Sequence, residues 1–129
     1  MSSGILLDTT IVIQHLRLDQ AVSDQLLSAE SLYLPIIVLG ELLHGAYRIP
    51  FPERQLEKIA IFMRAVTVLG ITTATADQFG QISAELSTSG QPIPTNDVWI
   101  AAVAREHQLP LATQDAHFER VSGLKLLSW

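Results

Sequence analysis

Short apolar runs recur along the chain, each beside turn or capping residues. Between them lie longer segments whose apolar positions return every three or four residues. The short runs predict strands at 5–7, 32–34, 66–69, 111–112 and 124–127, because each is too brief to be a helix. The longer segments predict helices. "TIVIQHLRL" follows the first run, and a second helix covers 21–28. "VLGELLHGA" follows the second run, with Gly45 near its end. Pro50 and Pro52 open a helix through about Ala65, Pro52 being suited to a first turn. Ala76, Phe79, Ile82, Ser83 and Leu86 mark one face of a further helix that stops near Gly90. The last helix follows Pro94. After Asp97 it runs Val98, Trp99, Ile100, Ala101, Ala102, Val103, Ala104, apolar on most sides, which predicts burial.

Strand–helix alternation with this spacing predicts an α/β fold: one domain over 1–129 with a mainly parallel five-stranded sheet flanked by helices. No internal repeat, low-complexity tract or linker interrupts it. At 129 residues the chain is long enough to bury a core without staples. It contains no cysteine, which excludes disulfides and thiolate metal sites and fits a reducing, cytoplasmic setting. "MSSGILLDTT" has no basic leader and no long apolar run, so neither a signal peptide nor a membrane span is expected. A net charge of −5 argues against indiscriminate electrostatic binding of nucleic acid. Apolar residues make up 48% and mean hydropathy is +0.30, high for a small domain, so another chain is expected to cover some apolar surface.

The buried helix begins with Asn96 and Asp97, which places a charge at its entrance. Capping is the plain explanation, since such side chains accept orphan backbone N–H groups. Other acids suggest a second one. Asp8 follows the first strand in "ILLD", Glu41 sits early in "IIVLGELLHG", and Asp115 follows the fourth strand in "PLATQD". In a parallel sheet, strand C-termini and helix N-termini share one edge, where ligands collect. Each acid has a plainer role as well: Asp8 as a helix cap, Glu41 as a first-turn or arginine-paired acid, Asp115 as a turn residue. Together, four converging carboxylates call for a cation. Oxygen ligands without His or Cys suit Mg²⁺ or Mn²⁺, which can activate water and stabilise a leaving oxygen in phosphodiester hydrolysis.

The segments "ILLDTTIVIQHL", "LPIIVLGELLHGA" and "PIPTNDVWIAAVAREHQLPLATQDAHFERVSGLKLLSW" resemble the PIN-domain ribonucleases, especially VapC-type toxins of bacterial toxin–antitoxin pairs. The resemblance is strongest at the first strand and from Pro92 to Trp129; between Pro50 and Thr88 only the helical layout matches. It implies that Asp8, Glu41, Asp97 and Asp115 form the acidic site, with the metal on Asp8 and Asp97 and with Glu41 and Asp115 bound directly or through water. It also implies that Thr9 and Thr113 are polar helpers and that Asn96 lines the pocket. The activity implied is Mg²⁺- or Mn²⁺-dependent cleavage of RNA by a homodimer with a cognate antitoxin.

Other residues receive plainer readings. No two of His15, His44, His107 and His117 have convincing zinc spacing. His44 is assigned to surface or packing, Trp99 to the core, Trp129 to the last strand, and Arg17 and Arg48 to solvated surface. In "PERQLEKIAIFMRA", Leu56, Ile59, Ala60 and Met63 make one apolar face, and Ile61 and Phe62 extend it, so this helix is expected to lie against a second chain. Two other classes compete: a non-catalytic PIN-like module binding RNA or protein, and a phosphoacceptor signalling domain. The latter wants an early acidic pair, whereas Asp8 is followed by "TT" and Lys125 lies between leucines.

Overall fold

The computed structural model describes residues 4–129. In chain order its elements are β1 (Gly4–Leu7), α1 (Thr9–Leu16), α2 (Gln20–Ser28), β2 (Ser31–Pro35), α3 (Ile36–Tyr47) and α4 (Glu53–Met63). There follow β3 (Thr67–Leu69), α5 (Thr73–Ser89), α6 (Thr95–His107), β4 (Leu111–Thr113), a short 3-10 helix (Ala116–Arg120) and β5 (Leu126–Ser128). The strands form one sheet, ordered β3-β2-β1-β4-β5, with every pairing parallel. The α/β fold with a five-stranded parallel sheet is therefore as the alternation predicts.

Strand β1 occupies the centre because its residues are apolar on both faces, as a strand covered by helices on both sides requires. Leu6 pairs with Tyr33 of β2 on one side and Leu111 of β4 on the other, and both Leu6 and Leu7 are fully buried. The chain runs from β1 outward to β2 and β3, then returns through α5 and α6 to β4 on the other side of β1. The order thus reverses between β1 and β4, the position where open parallel sheets place ligands outside their carboxyl ends. The Asp8 N–H donates to the Ala112 carbonyl at 3.2 Å, which carries the β1–β4 pairing one step past the strand and fixes Asp8 at that edge.

Helix α6 is as buried as its composition predicts: Val98 and Ile100 through Ala104 are all inaccessible. Trp99 is half-buried and stacks on Phe79 of α5, with ring centroids 4.0 Å apart. Helix α5 begins with a capping box between Thr72 and Thr75 and ends on Gly90, whose φ of 69° is the left-handed geometry glycine adopts most easily.

Packing corrects two faces. On α5 the inward row is Thr75, Ile82 and Leu86, and Ala76 is exposed. Thr75 goes inward because its hydroxyl finds Glu106 of α6 at 2.5 Å, so a buried polar atom is satisfied. On α4, which starts at Glu53 with Pro52 as its N-cap, Phe62 is buried against the His15 ring at 5.5 Å, whereas Ile61 and Ala60 face out. Phe62 therefore belongs to the domain's own core and not to a surface left for a second chain. His15 also joins two helices, since its Nδ1 lies 2.8 Å from the Ser23 hydroxyl and ties α1 to α2.

Candidate active site

Asp8 ends the extended segment and caps α1. Its Oδ1 accepts the Ile11 N–H at 3.2 Å and the Thr10 hydroxyl at 2.6 Å, and its Oδ2 accepts the Thr113 hydroxyl at 2.5 Å. The carboxyl is only 2% exposed. Burial pushes it above the usual carboxylate range; the three hydrogen bonds oppose that rise, and the charge of Asp115 adds to it.

Thr113, the last residue of β4, links two of the acids. Its Oγ1 donates to Asp8 and accepts the Asp115 N–H at 2.9 Å. Asp115 in turn caps the 3-10 helix, its Oδ1 accepting the His117 N–H at 2.9 Å. The plain capping and turn roles of Asp8 and Asp115 are thus real, and they aim both acids at the same edge.

Glu41 is the sixth residue of α3, beyond the first turn, and its partner is not an arginine: Oε1 accepts the Thr9 hydroxyl at 2.6 Å. Asp97 is the third residue of α6. Pro94 holds the N-cap position with no side-chain cap bond, so Asp97 does not cap the helix it helps to open. Its Oδ2 instead lies 3.2 Å from Nδ1 of His117. Burial raises the Asp97 carboxyl above its ordinary value. The His117 bond opposes the shift, and the charges of Asp115 and Glu41 reinforce it.

The four acids therefore come from four elements and sense one another's charge, Asp115 acting on both Asp8 and Asp97, and Glu41 on Asp97. Thr9 and Thr113 touch the acids directly. Asn96 lines a neighbouring cleft of about 550 Å³ with Thr9, Glu41, His44 and Arg48. His44 and Arg48 are exposed, as their surface readings expected, and they line this cleft beside Glu41; Arg17, also exposed, lines an adjoining groove that shares Glu41 and Gly45 with it.

His117 is the residue the spacing argument misses. Its Nδ1 stands 3.2 Å from Asp97 Oδ2 and 3.2 Å from Asp115 Oδ1. Among the described residues, the tightest ligand-like group is this trio, with donor atoms within 4.8 Å of one another. Asp8 and Glu41 stand outside this group, and their oxygens accept threonine hydroxyls and, for Asp8, a backbone N–H. The signal was the "QDAH" run itself; a search for histidine pairs cannot see a histidine whose partner comes from another helix. Two carboxylates and an imidazole, crowded by two further acids, fit a divalent cation as a donor set.

Fold and pocket together define an α/β protein whose acids gather at the carboxyl edge of a parallel sheet, at its topological switch point. The family model for the PIN domain matches residues 5–124. Ribonuclease VapC2 of Haemophilus influenzae is 35% identical over 127 residues, covering 96% of each chain. The tRNA(fMet)-specific endonuclease VapC of Shigella flexneri is 39% identical over 94 residues, 72% of this chain and 71% of that protein. The crystal structure of DNA-bound VapBC from Salmonella typhimurium superposes with a TM-score of 0.93 at 30% identity over 99% of each chain. The chain belongs to the PIN-domain family, among its VapC-type ribonuclease toxins.

Proposed function

We propose that this chain is a metal-dependent endoribonuclease, the toxin of a toxin–antitoxin pair, with Asp8, Glu41, Asp97 and Asp115 as its catalytic carboxylates. The observation that carries the reading is the convergence of those acids from four elements onto one sheet edge, with Asp8 and Asp97 held above their ordinary pKa. Carboxylates crowded in this way repel one another, so a cation gains affinity by relieving the repulsion. Mg²⁺ or Mn²⁺ bound there supplies Lewis-acid charge for phosphodiester hydrolysis. The chain's own residues supply the frame. Asp97, and with it Asp8 as the resemblance implies, would present oxygens to the cation; Asp115, in the donor group with Asp97, would join them, and Glu41 would add charge directly or through water. Thr9 and Thr113 orient Glu41 and Asp8 through short hydrogen bonds. Arg48 and Asn96, in the cleft beside Glu41, are placed to meet the RNA backbone.

Related proteins carry the names ribonuclease and tRNA(fMet)-specific endonuclease, and solved relatives are VapBC complexes, which supports RNA as substrate and an antitoxin as partner. The reading extends to one domain over 1–129, a homodimer and a cytoplasmic setting. No helix among the described residues is long and apolar enough to cross a membrane. The deciding experiment compares RNA ends, by sequencing, after induction of the wild type and of Asp8→Asn. Discrete new ends with the wild type alone are the expected result. A purified wild-type chain that cuts no RNA in a mixed pool, with Mg²⁺ or with Mn²⁺, overturns the reading.

A further inference from the structure

We infer that His117 is a nitrogen ligand of the cation site and that it biases this site toward Mn²⁺ over Mg²⁺. The inference rests on the metal-dependent reading above and adds to it a donor that a purely carboxylate site lacks. The geometry comes first. Nδ1 of His117 faces both acids, 3.2 Å from Asp97 Oδ2 and 3.2 Å from Asp115 Oδ1. Neighbouring ligands on an octahedral ion with bonds of about 2.1 Å stand √2 times that apart, about 3.0 Å. Both separations therefore match the edge of such an octahedron without a change of rotamer.

The ring is also held in place. The His117 N–H donates to Asp115 Oδ1 at 2.9 Å, and the next residue, Phe118, is fully buried and pins the 3-10 helix to the core. On the other side of the imidazole, Nε2 makes no hydrogen bond to a described residue, and the side chain is 40% exposed. Nε2–H can donate a hydrogen bond to solvent, and the tautomer protonated at Nε2 is the one that leaves the Nδ1 lone pair for an ion.

Donor chemistry then sets the preference. Mg²⁺ favours oxygen and gives up its waters reluctantly, whereas imidazole suits first-row transition ions. A nitrogen in one ligand position costs Mg²⁺ more than it costs Mn²⁺. The competing role for His117 is a counter-ion, an imidazolium that neutralises Asp97 and Asp115 and must be displaced. The two roles predict opposite signs: loss of a ligand weakens Mn²⁺ binding, and loss of a competitor strengthens it.

The test uses the purified full chain, with Mn²⁺ and Mg²⁺ themselves as probes. Electron spin-echo spectroscopy of bound Mn²⁺ should show ¹⁴N modulation in the wild type. In His117→Ala the modulation should vanish while His15, His44 and His107 remain. Calorimetric titration should show Mn²⁺ affinity lower in the variant by at least about tenfold, since losing even an outer-shell partner costs about 10–100-fold, with a smaller loss for Mg²⁺ and hence a lower Mn²⁺/Mg²⁺ ratio. Wild-type Mn²⁺ bound without ¹⁴N modulation, or a His117→Ala chain that binds Mn²⁺ as tightly or more tightly, overturns the inference and leaves the metal-dependent reading standing. A wild type that binds neither ion overturns both. The wild-type spectrum decides even where a variant folds poorly.

Discussion

At Asp97 a carboxyl largely withdrawn from water sits 3.2 Å from an imidazole, within the fields of Asp115 and Glu41. Asp97→Asn keeps the shape and an acceptor for His117 but removes the charge. RNA cleavage should fall by more than the ~10–100-fold typical of losing an outer-shell partner. The metal-free variant should melt at the same temperature as the wild type or slightly higher, since like-charge repulsion is relieved. A simple folding defect lowers both quantities, so cleavage in Mn²⁺ and melting in EDTA must be read together. The pH dependence follows from the same shift. Asp8 and Asp97 are both raised above their ordinary value of 3.8 in the folded chain. Such groups favour folding while protonated; that contribution is complete below about 3.8 and is lost as pH climbs through the raised folded values. In EDTA, wild-type stability should therefore decline across that window more steeply than that of Asp97→Asn, and parallel curves would refute the shift at Asp97. Thr113→Val is the complementary change. It removes the hydroxyl shared by Asp8 and the Asp115 N–H. Denaturant unfolding should show a loss of about 1–3 kcal/mol, the cost of leaving buried partners unsatisfied.

Among the elements, α4 shows how packing selects between neighbouring apolar residues. Ile61 and Phe62 are consecutive, so they point about 100° apart around the helix axis. Periodicity alone cannot say which of the two the core takes. The structure takes Phe62, 6% exposed, and leaves Ile61 52% exposed. Phe62→Ala should cost about 3–5 kcal/mol, and Ile61→Ser should stay within about 0.5 kcal/mol, both measured by denaturant unfolding. Similar losses for the two would contradict this orientation. The same limit applies to α5, where Thr75 displaces Ala76 from the inner face because Glu106 of α6 offers it a partner. Such pairings join residues distant in sequence, which local pattern does not encode.

Over the whole molecule, apolar side chains remain uncovered. Leu18 and Phe51 are each 86% exposed, and both adopt positive φ (65° and 58°), a geometry that costs a non-glycine residue about 1–2 kcal/mol. Leu18 joins Ile13, Leu16, Ala46 and Ile49 along a groove of about 580 Å³ between α1, α3 and α4. This groove meets the cleft at Asn96 along Glu41 and Gly45, and under the proposed function its apolar wall would seat an antitoxin. Ile49→Glu should weaken antitoxin binding, measured by calorimetry, and leave Mn²⁺-dependent RNA cleavage intact; undiminished binding would remove the groove from the interface. Cation linkage is a property of the whole fold as well. Mn²⁺ at a hundredfold its dissociation constant should add about 2.7 kcal/mol of apparent stability relative to EDTA. An unchanged melting temperature at millimolar Mn²⁺ would argue against the site.

Hydropathy periodicity by itself determined the element order, the parallel α/β class and the burial of α6, because those depend on side-chain patterns repeated within each segment. It also marked Asp8, Glu41, Asp97 and Asp115, since an acid beside an apolar run is visible locally. Only the tertiary structure decided which acids stand closest. It put His117 between Asp97 and Asp115, engaged the oxygens of Asp8 and Glu41 with threonine hydroxyls, and turned Phe62 inward. Those arrangements depend on distances between segments far apart in the chain, set by the order in which β1 and β4 pair, and no local pattern of residues carries that information.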